Sequence, residues 1–237
     1  MSSAFHGLPA GPPAPPTGRG SLLVPLYVHP VVDPAAWRAL EDAAPGLYGA
    51  VLNAADGPGE RPDPVYAAAA ARLRRAGVRL LGYVDTDYAD RPTHAVYRDL
   101  RRHRAWYATD GVFFDRVASG ARQVAYYRWL ARTARLCGAR TVVFNPGVHP
   151  DPGYARIADL LVTFEGSWDD YQHLTVPHWT AGHPAARFCH LVHGVPDGLA
   201  VRAGRMAAVR GAGVHCAVPG VPPNPWQSVP VPAGGAV

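Results

Sequence analysis

The 237-residue sequence contains no lysine, so its 23 basic side chains other than histidine are all arginine, and with 18 acidic residues they leave a formal charge of +5. That balance raises the question of nucleic acid. The arginines, however, are scattered over stretches with helical spacing, such as Arg72, Arg74 and Arg75 or Arg98, Arg101, Arg102 and Arg104. They read as solvated helix faces rather than one basic stripe, and no nucleic-acid partner is expected. Cysteine is also scarce. Cys137, Cys189 and Cys216 lie far apart with no C-x-x-C spacing, which excludes a zinc ribbon and a dense disulfide scaffold. Cys189 and Cys216 read as buried free thiols on neighbouring strands. No run approaches the roughly 18 apolar residues that span a bilayer, so a soluble chain with no membrane partner is expected.

Several signatures are missing as well. No G-x-G-x-x-G follows the first strand and no G-x-x-x-x-G-K-[ST] occurs, so phosphate-cradling loops of open doubly wound sheets are absent. There is no G-x-S-x-G elbow for a serine hydrolase and no H-E-x-x-H for zinc. His190 and His193 are three apart on one expected strand, where odd spacing sends side chains to opposite faces. His173, His178 and His183, near Asp169 and Asp170, lack a zinc spacing. No metal or other cofactor is expected.

Met1–Gly20 is rich in Pro and Gly and lacks the charged start and apolar run of a secretory signal. It reads as a flexible leader, and 231–237 as a flexible tail, leaving the cellular location open. Between them, over 21–230, short apolar runs alternate with helical stretches, the pattern of parallel strands joined by crossover helices. Strands are expected at Leu22–Val28, Gly49–Asn53, Val78–Val84, Gly111–Asp115, Arg140–Asn145, Leu160–Glu165, Ala186–Val192 and Gly213–Val218. Helices are expected from Asp33, at Pro64–Ala76, Thr93–Trp106 and Ala121–Cys137. Eight such units predict a single-domain α/β fold, a (β/α)8 barrel of the TIM type, near the lower limit of its size range.

A barrel places its active site at the C-terminal ends of its strands. Polar residues recur there: Tyr27 and His29 after strand one, Asn53 after two, Asp85 and Asp87 after three, Asp115 after four, Asn145 after five and Glu165 after six. An acid at the tip of a buried strand has either a partner or a chemical role. Asp115 and Glu165 stand on alternate strands of one mouth, and two carboxylates about 5 Å apart can divide the work of cleaving a glycosidic bond. Tyr27, Tyr83, Tyr88, Trp168, Tyr171 and Trp226 fall at or beyond strand ends, where flat rings can pack against sugar faces.

In order along the chain, PLYVHP at Pro25, NAADGPG at Asn53, GYVDTDY at Gly82, GVFFD at Gly111, FNPG at Phe144, FEGSW at Phe164 and PW at Pro225 resemble the spherulin-4-like family. The resemblance implies a (β/α)8 glycoside hydrolase, endo-acting on galactosaminogalactan-type polymers at α-1,4-linked N-acetylgalactosamine. It implies that Asp115 and Glu165 are the family's acids of strands four and six, with Asp115 as nucleophile and Glu165 as general acid/base, or the reverse. Tyr27, Asn53, Tyr83, Asp85, Tyr88, Asn145, Trp168 and Trp226 are the candidate sugar contacts. One departure stands out: Arg116 occupies a position where the fungal enzymes carry a second acid. A guanidinium there is expected to lower the Asp115 pKa and to favour an anionic sugar, unless it points away from the mouth. The alternative to an enzyme is a catalytically inactive carbohydrate-binding barrel.

Overall fold

The structure is a computed structural model that describes residues 21–230. The expected leader at 1–20 and the tail at 231–237 lie outside the described residues. Eight parallel strands close into a barrel in sequential order. They are β1 (Leu22–Leu26), β2 (Leu47–Leu52), β3 (Leu80–Asp85), β4 (Gly111–Asp115), β5 (Thr141–Phe144), β6 (Leu160–Ser167), β7 (Phe188–His193) and β8 (Val214–Ala217). β1 and β8 close the ring through the pair Leu22 and His215.

Helices α1 (Pro34–Asp42), α2 (Pro64–Arg75), α3 (Thr93–Tyr107) and α4 (Val124–Leu136) follow the first four strands. The starts of α1 and α2 are written locally. Asp33 accepts from Ala36 N and Asp63 from Val65 N and Tyr66 N, each followed by a proline whose missing N–H costs nothing at that position. The second half is irregular. β5 leads only to a 3-10 turn at Pro152–Arg156, β6 to a short α5 (Trp168–Gln172), and β7 to α6 (Ala200–Val209). Among the described residues no helix follows β8. The chain instead runs across the barrel mouth as a proline-rich strap that ends at Trp226, whose indole is buried.

Alternation along the strands builds two cores. Leu23, Val51, Leu81, Phe113, Val143 and Leu191 fill the barrel interior. Both Cys189 and Cys216 are buried there and free. The opposite faces pack against helices, as with Val112 and Phe114 against Tyr127 and Leu130 of α4. Each such fully buried apolar side chain contributes about 1.5–3 kcal/mol.

The register shifts at the start of β2, between the pairs Leu22–Leu47 and Leu23–Gly49, and again in β6, where the break bears on the site. Val162 pairs with Cys189 but Phe164 already pairs with His190, so one extra residue is inserted at Thr163. This bulge reverses the facing of everything after it. Val162 points into the barrel, Phe164 packs outside against Tyr171, and Glu165 turns inward toward the mouth.

Candidate active site

Asp115 ends β4 two residues after the inward-facing Phe113, so strand parity alone carries it into the mouth. Glu165 reaches the same space by way of the bulge. Between them Asn145, the residue after β5, holds both. Its amide nitrogen donates to Asp115 Oδ1 at 2.7 Å and also to Glu165 Oε2. Two bonds of roughly 3 Å from one nitrogen put those carboxylate oxygens within about 6 Å of each other. The side-chain oxygen Oδ1 of Asn145 is itself fixed, accepting from Gly147 N at 3.0 Å.

Each acid has a further donor of its own. Tyr83 OH donates to Asp115 Oδ2 at 2.8 Å, and Trp226 Nε1 donates to Glu165 Oε1 at 3.2 Å. Burial is the largest influence on Glu165, and the neighbouring charge of Asp115 adds to it, so its pKa rises to about 7. Burial also raises Asp115, while Tyr83, the backbone N–H of Arg116 and Asn145 pull it down. Tyr27 and Tyr83 are pushed up by burial and by the adjacent Asp115, so both remain neutral hydroxyls.

The acids lie in an open cleft of about 620 Å³ that Tyr27, Asn53, Tyr83 and Trp226 also line. The strap forms one wall. Tyr27 N donates to Trp226 O at 2.6 Å, Asn224 Nδ2 to Tyr27 O at 2.9 Å, and Trp226 N to Asn224 Oδ1 at 3.2 Å. These bonds tie the strap to the end of β1 and hold the indole over Glu165.

The remaining candidates fall elsewhere. Asp85 lies beside Asp115 in register, but it is committed to Arg116 and does not line the cleft. Tyr88 is exposed on the loop after β3. Trp168 is buried outside the barrel with Phe164, Tyr171 and Val192, and so does not face the cleft. The reason is local: Ser167 caps α5, and the bulge has already exchanged the two faces of β6. Tyr171 is likewise enclosed, sharing a hydrogen bond of 2.9 Å with His190.

Burial raises the Asp115 pKa on balance, against the expected lowering by a guanidinium at position 116, and Arg116 pulls it down only through its backbone N–H. Its guanidinium turns to Asp85 and Asp87, and only its backbone N–H reaches Asp115. No arginine among the described residues lines the cleft.

Three cleft residues escaped the sequence reading. His193, weighed there only as a metal ligand, faces the mouth and meets the Trp226 ring edge-on at 6.3 Å. Burial lowers its pKa. His190, on the opposite face, is buried against Tyr171, as the odd spacing required. Asp56, with a φ of 47°, and Asn224 also line the cleft. The turn-rich NAADGPG and PPNPW segments were the available signals for these two, since loops after strands make the mouth of a barrel.

Comparison with known proteins agrees with this architecture. The model of spherulation-specific family 4 matches residues 21–216. Spherulin-4 of Physarum polycephalum is 32% identical over 170 residues, which cover 70% of this chain and 50% of that protein. The chain thus spans about half the length of this curated relative. The crystal structure of Aspergillus clavatus Sph3 in complex with GalNAc superposes with a TM-score of 0.76 at 28% identity, covering 90% of this chain and 93% of that one. Deoxyribose phosphate aldolase from Aeropyrum pernix, with a TM-score of 0.51 and 10% identity over 84% of this chain and 85% of its own, shares the fold alone.

Proposed function

The chain belongs to spherulation-specific family 4, and from that membership we propose that its cleft hydrolyses glycosidic bonds within a polysaccharide containing α-1,4-linked N-acetylgalactosamine or galactosamine. The observation that carries the reading is the single amide nitrogen of Asn145 shared by Asp115 and Glu165. So close a pair supports the retaining mechanism, whose carboxyl groups stand roughly 5–5.5 Å apart, over the wider spacing of an inverting one. The GalNAc bound to the similar Sph3 supports an amino sugar as the unit recognised.

In the proposed reaction a carboxylate oxygen of Asp115 attacks the anomeric carbon as the bond to the leaving oxygen breaks. Glu165 gives that oxygen its proton. Water then attacks the same carbon, Glu165 takes the water's proton, and the ester to Asp115 breaks. The environments suit this division. Glu165, with a pKa of about 7, retains a proton to donate near neutral pH, while Tyr83 and Asn145 donate to Asp115 as an anion. An open cleft, rather than a closed pocket, suits attack within a chain.

The test is incubation with acetylated and deacetylated galactosaminogalactan, scored by new reducing ends, beside Asp115→Asn and Glu165→Gln. Cleavage by the unaltered protein, lost in both variants, is expected. The competing reading is a barrel that binds carbohydrate without cutting it. It rests on Arg116 standing where the fungal enzymes carry an acid, and binding without new reducing ends would establish it.

A further inference from the structure

Arg116 forms the centre of a clasp on the β3 side of the mouth. Its Nε donates to Asp85 Oδ1 at 2.8 Å, and a terminal nitrogen donates to Asp85 Oδ2. The other terminal nitrogen lies 3.2 Å from Asp87 Oδ1. The guanidinium also stands 5.9 Å from the centroid of the Tyr88 ring. The backbone joins in: Arg116 O accepts from Tyr88 N at 2.7 Å and from the Thr86 hydroxyl at 2.8 Å.

The segment so held has an unfavourable backbone. Asp87, Tyr88 and Ala89 follow one another at φ of 45°, 54° and 82°, and Arg116 itself sits at 47°. Non-glycine residues persist in this region only where their surroundings over-determine them, and they concentrate at ligand sites. What the clasp delivers is a tyrosine whose backbone is fixed while the residue is 54% exposed. With the guanidinium over one side of the ring, the other face is left for the apolar face of a pyranose.

We propose that Arg116 is a positioning residue that presents Tyr88 as a stacking platform for a sugar unit of the polymer beyond the one being cleaved. The subsite takes an uncharged pyranose by its C–H face, and the inference rests on the reading of the cleft as a polysaccharide site. An acid at position 116 would face Asp85 and Asp87 with like charge, and the clasp would not form. The arginine thereby adds binding surface at this position.

The experiment compares the full chain with Tyr88→Ala, Arg116→Ala, the double variant and Arg116→Lys on α-1,4-linked N-acetylgalactosamine oligosaccharides of graded length. KM and kcat are measured for each length, with direct calorimetric binding of the same oligosaccharides in parallel. Tyr88→Ala is expected to weaken long oligosaccharides by roughly 5- to 10-fold in KM and in binding, the size of one aromatic contact. The shortest substrates and kcat should be unchanged. Arg116→Ala should reproduce that pattern, the double variant should lose no more than either single one, and Arg116→Lys should fall between.

A loss in kcat that ignores substrate length, additive losses, or length dependence surviving in Tyr88→Ala would each overturn the proposal. Should Arg116→Ala fail to fold, Tyr88→Ala still decides the platform, its ring being half exposed, and Arg116→Lys decides the clasp. Binding without any hydrolysis removes the enzymatic reading but leaves the platform testable by calorimetry. The two failures are thus distinct.

Discussion

The indole of Trp226 reaches Glu165 from the strap and donates its Nε1–H to Oε1 at 3.2 Å. The strap thereby acts on the chemistry as well as the shape of the cleft. That hydrogen bond favours the carboxylate and holds the Glu165 pKa below the level that burial and Asp115 alone would set. If Glu165 is the general acid, activity falls as pH rises through about 7. Trp226→Phe keeps a ring but removes the donor, so the basic limb of the kcat/KM profile should move to higher pH. A limb that stays in place would mean that the indole acts only as a wall.

Asn145 supplies the donor that lets two buried acids share one site. In Asn145→Ala neither Asp115 nor Glu165 keeps that amide, and both carboxyls shift further toward their neutral forms. Asp115 then spends less time as the anion that the proposed attack requires. We expect kcat to fall by roughly 100-fold or more, the scale seen when an aimed donor is deleted from an active site. The backbone bonds of residue 145 to Phe114 O and from Val117 N persist, so the barrel should remain folded by circular dichroism. A loss below about 3-fold would place Asn145 outside the reaction.

Gly82 tests the outer packing. Its missing side chain faces α3, and a Cβ there would sit 2.5 Å from His103 Cγ. His103 cannot retreat easily, being buried and bonded through Nε2 to Tyr83 O at 2.7 Å. Gly82→Ala should cost about 1–3 kcal/mol in urea denaturation through overpacking. In Gly82→Ala combined with His103→Ala the added methyl meets no ring, so the pair should cost clearly less than the sum of the single changes. Strict additivity would show that the clash is not the cause.

How far the site was legible in the sequence follows from strand parity. Asp115 stands two residues beyond Phe113, and an unbroken strand puts both on the same face. Glu165 stands three residues beyond Val162, and an unbroken strand would send it outside, with Phe164 in its place. Only the extra residue at Thr163 brings it to the mouth, and a bulge leaves no composition mark in LLVTFE. Counting strand ends named Glu165 without accounting for its direction. The same blindness explains Trp168, which was assigned by its position past a strand end although the reversed strand and the Ser167 cap carry it into the outer core. The eight strands themselves were readable because each is an apolar run bounded by turn residues. The clasp of Arg116 was not, because it depends on a left-handed backbone at ordinary residues.

Glu165 should also burden the fold it serves. An ordinary glutamate carboxyl has its pKa at 4.5 and this one at about 7, so between those values the native state binds more protons than the unfolded state. Stability must then decrease as pH rises through that window. It is undiminished below the unfolded value, and the loss is complete above the folded one. The size is on the order of 3 kcal/mol at pH 8. Glu165→Gln removes the ionisation, but its one carbonyl can accept from Trp226 or from Asn145 and not from both, a loss that is the same at every pH. The melting temperature of the variant relative to the parent should therefore rise by several degrees between pH 4 and pH 8, with about 2–4 °C per kcal/mol for a chain of this length. A difference in melting temperature that does not change with pH would mean that Glu165 is not held protonated by its surroundings, and its assignment as the acid would have to pass to Asp115.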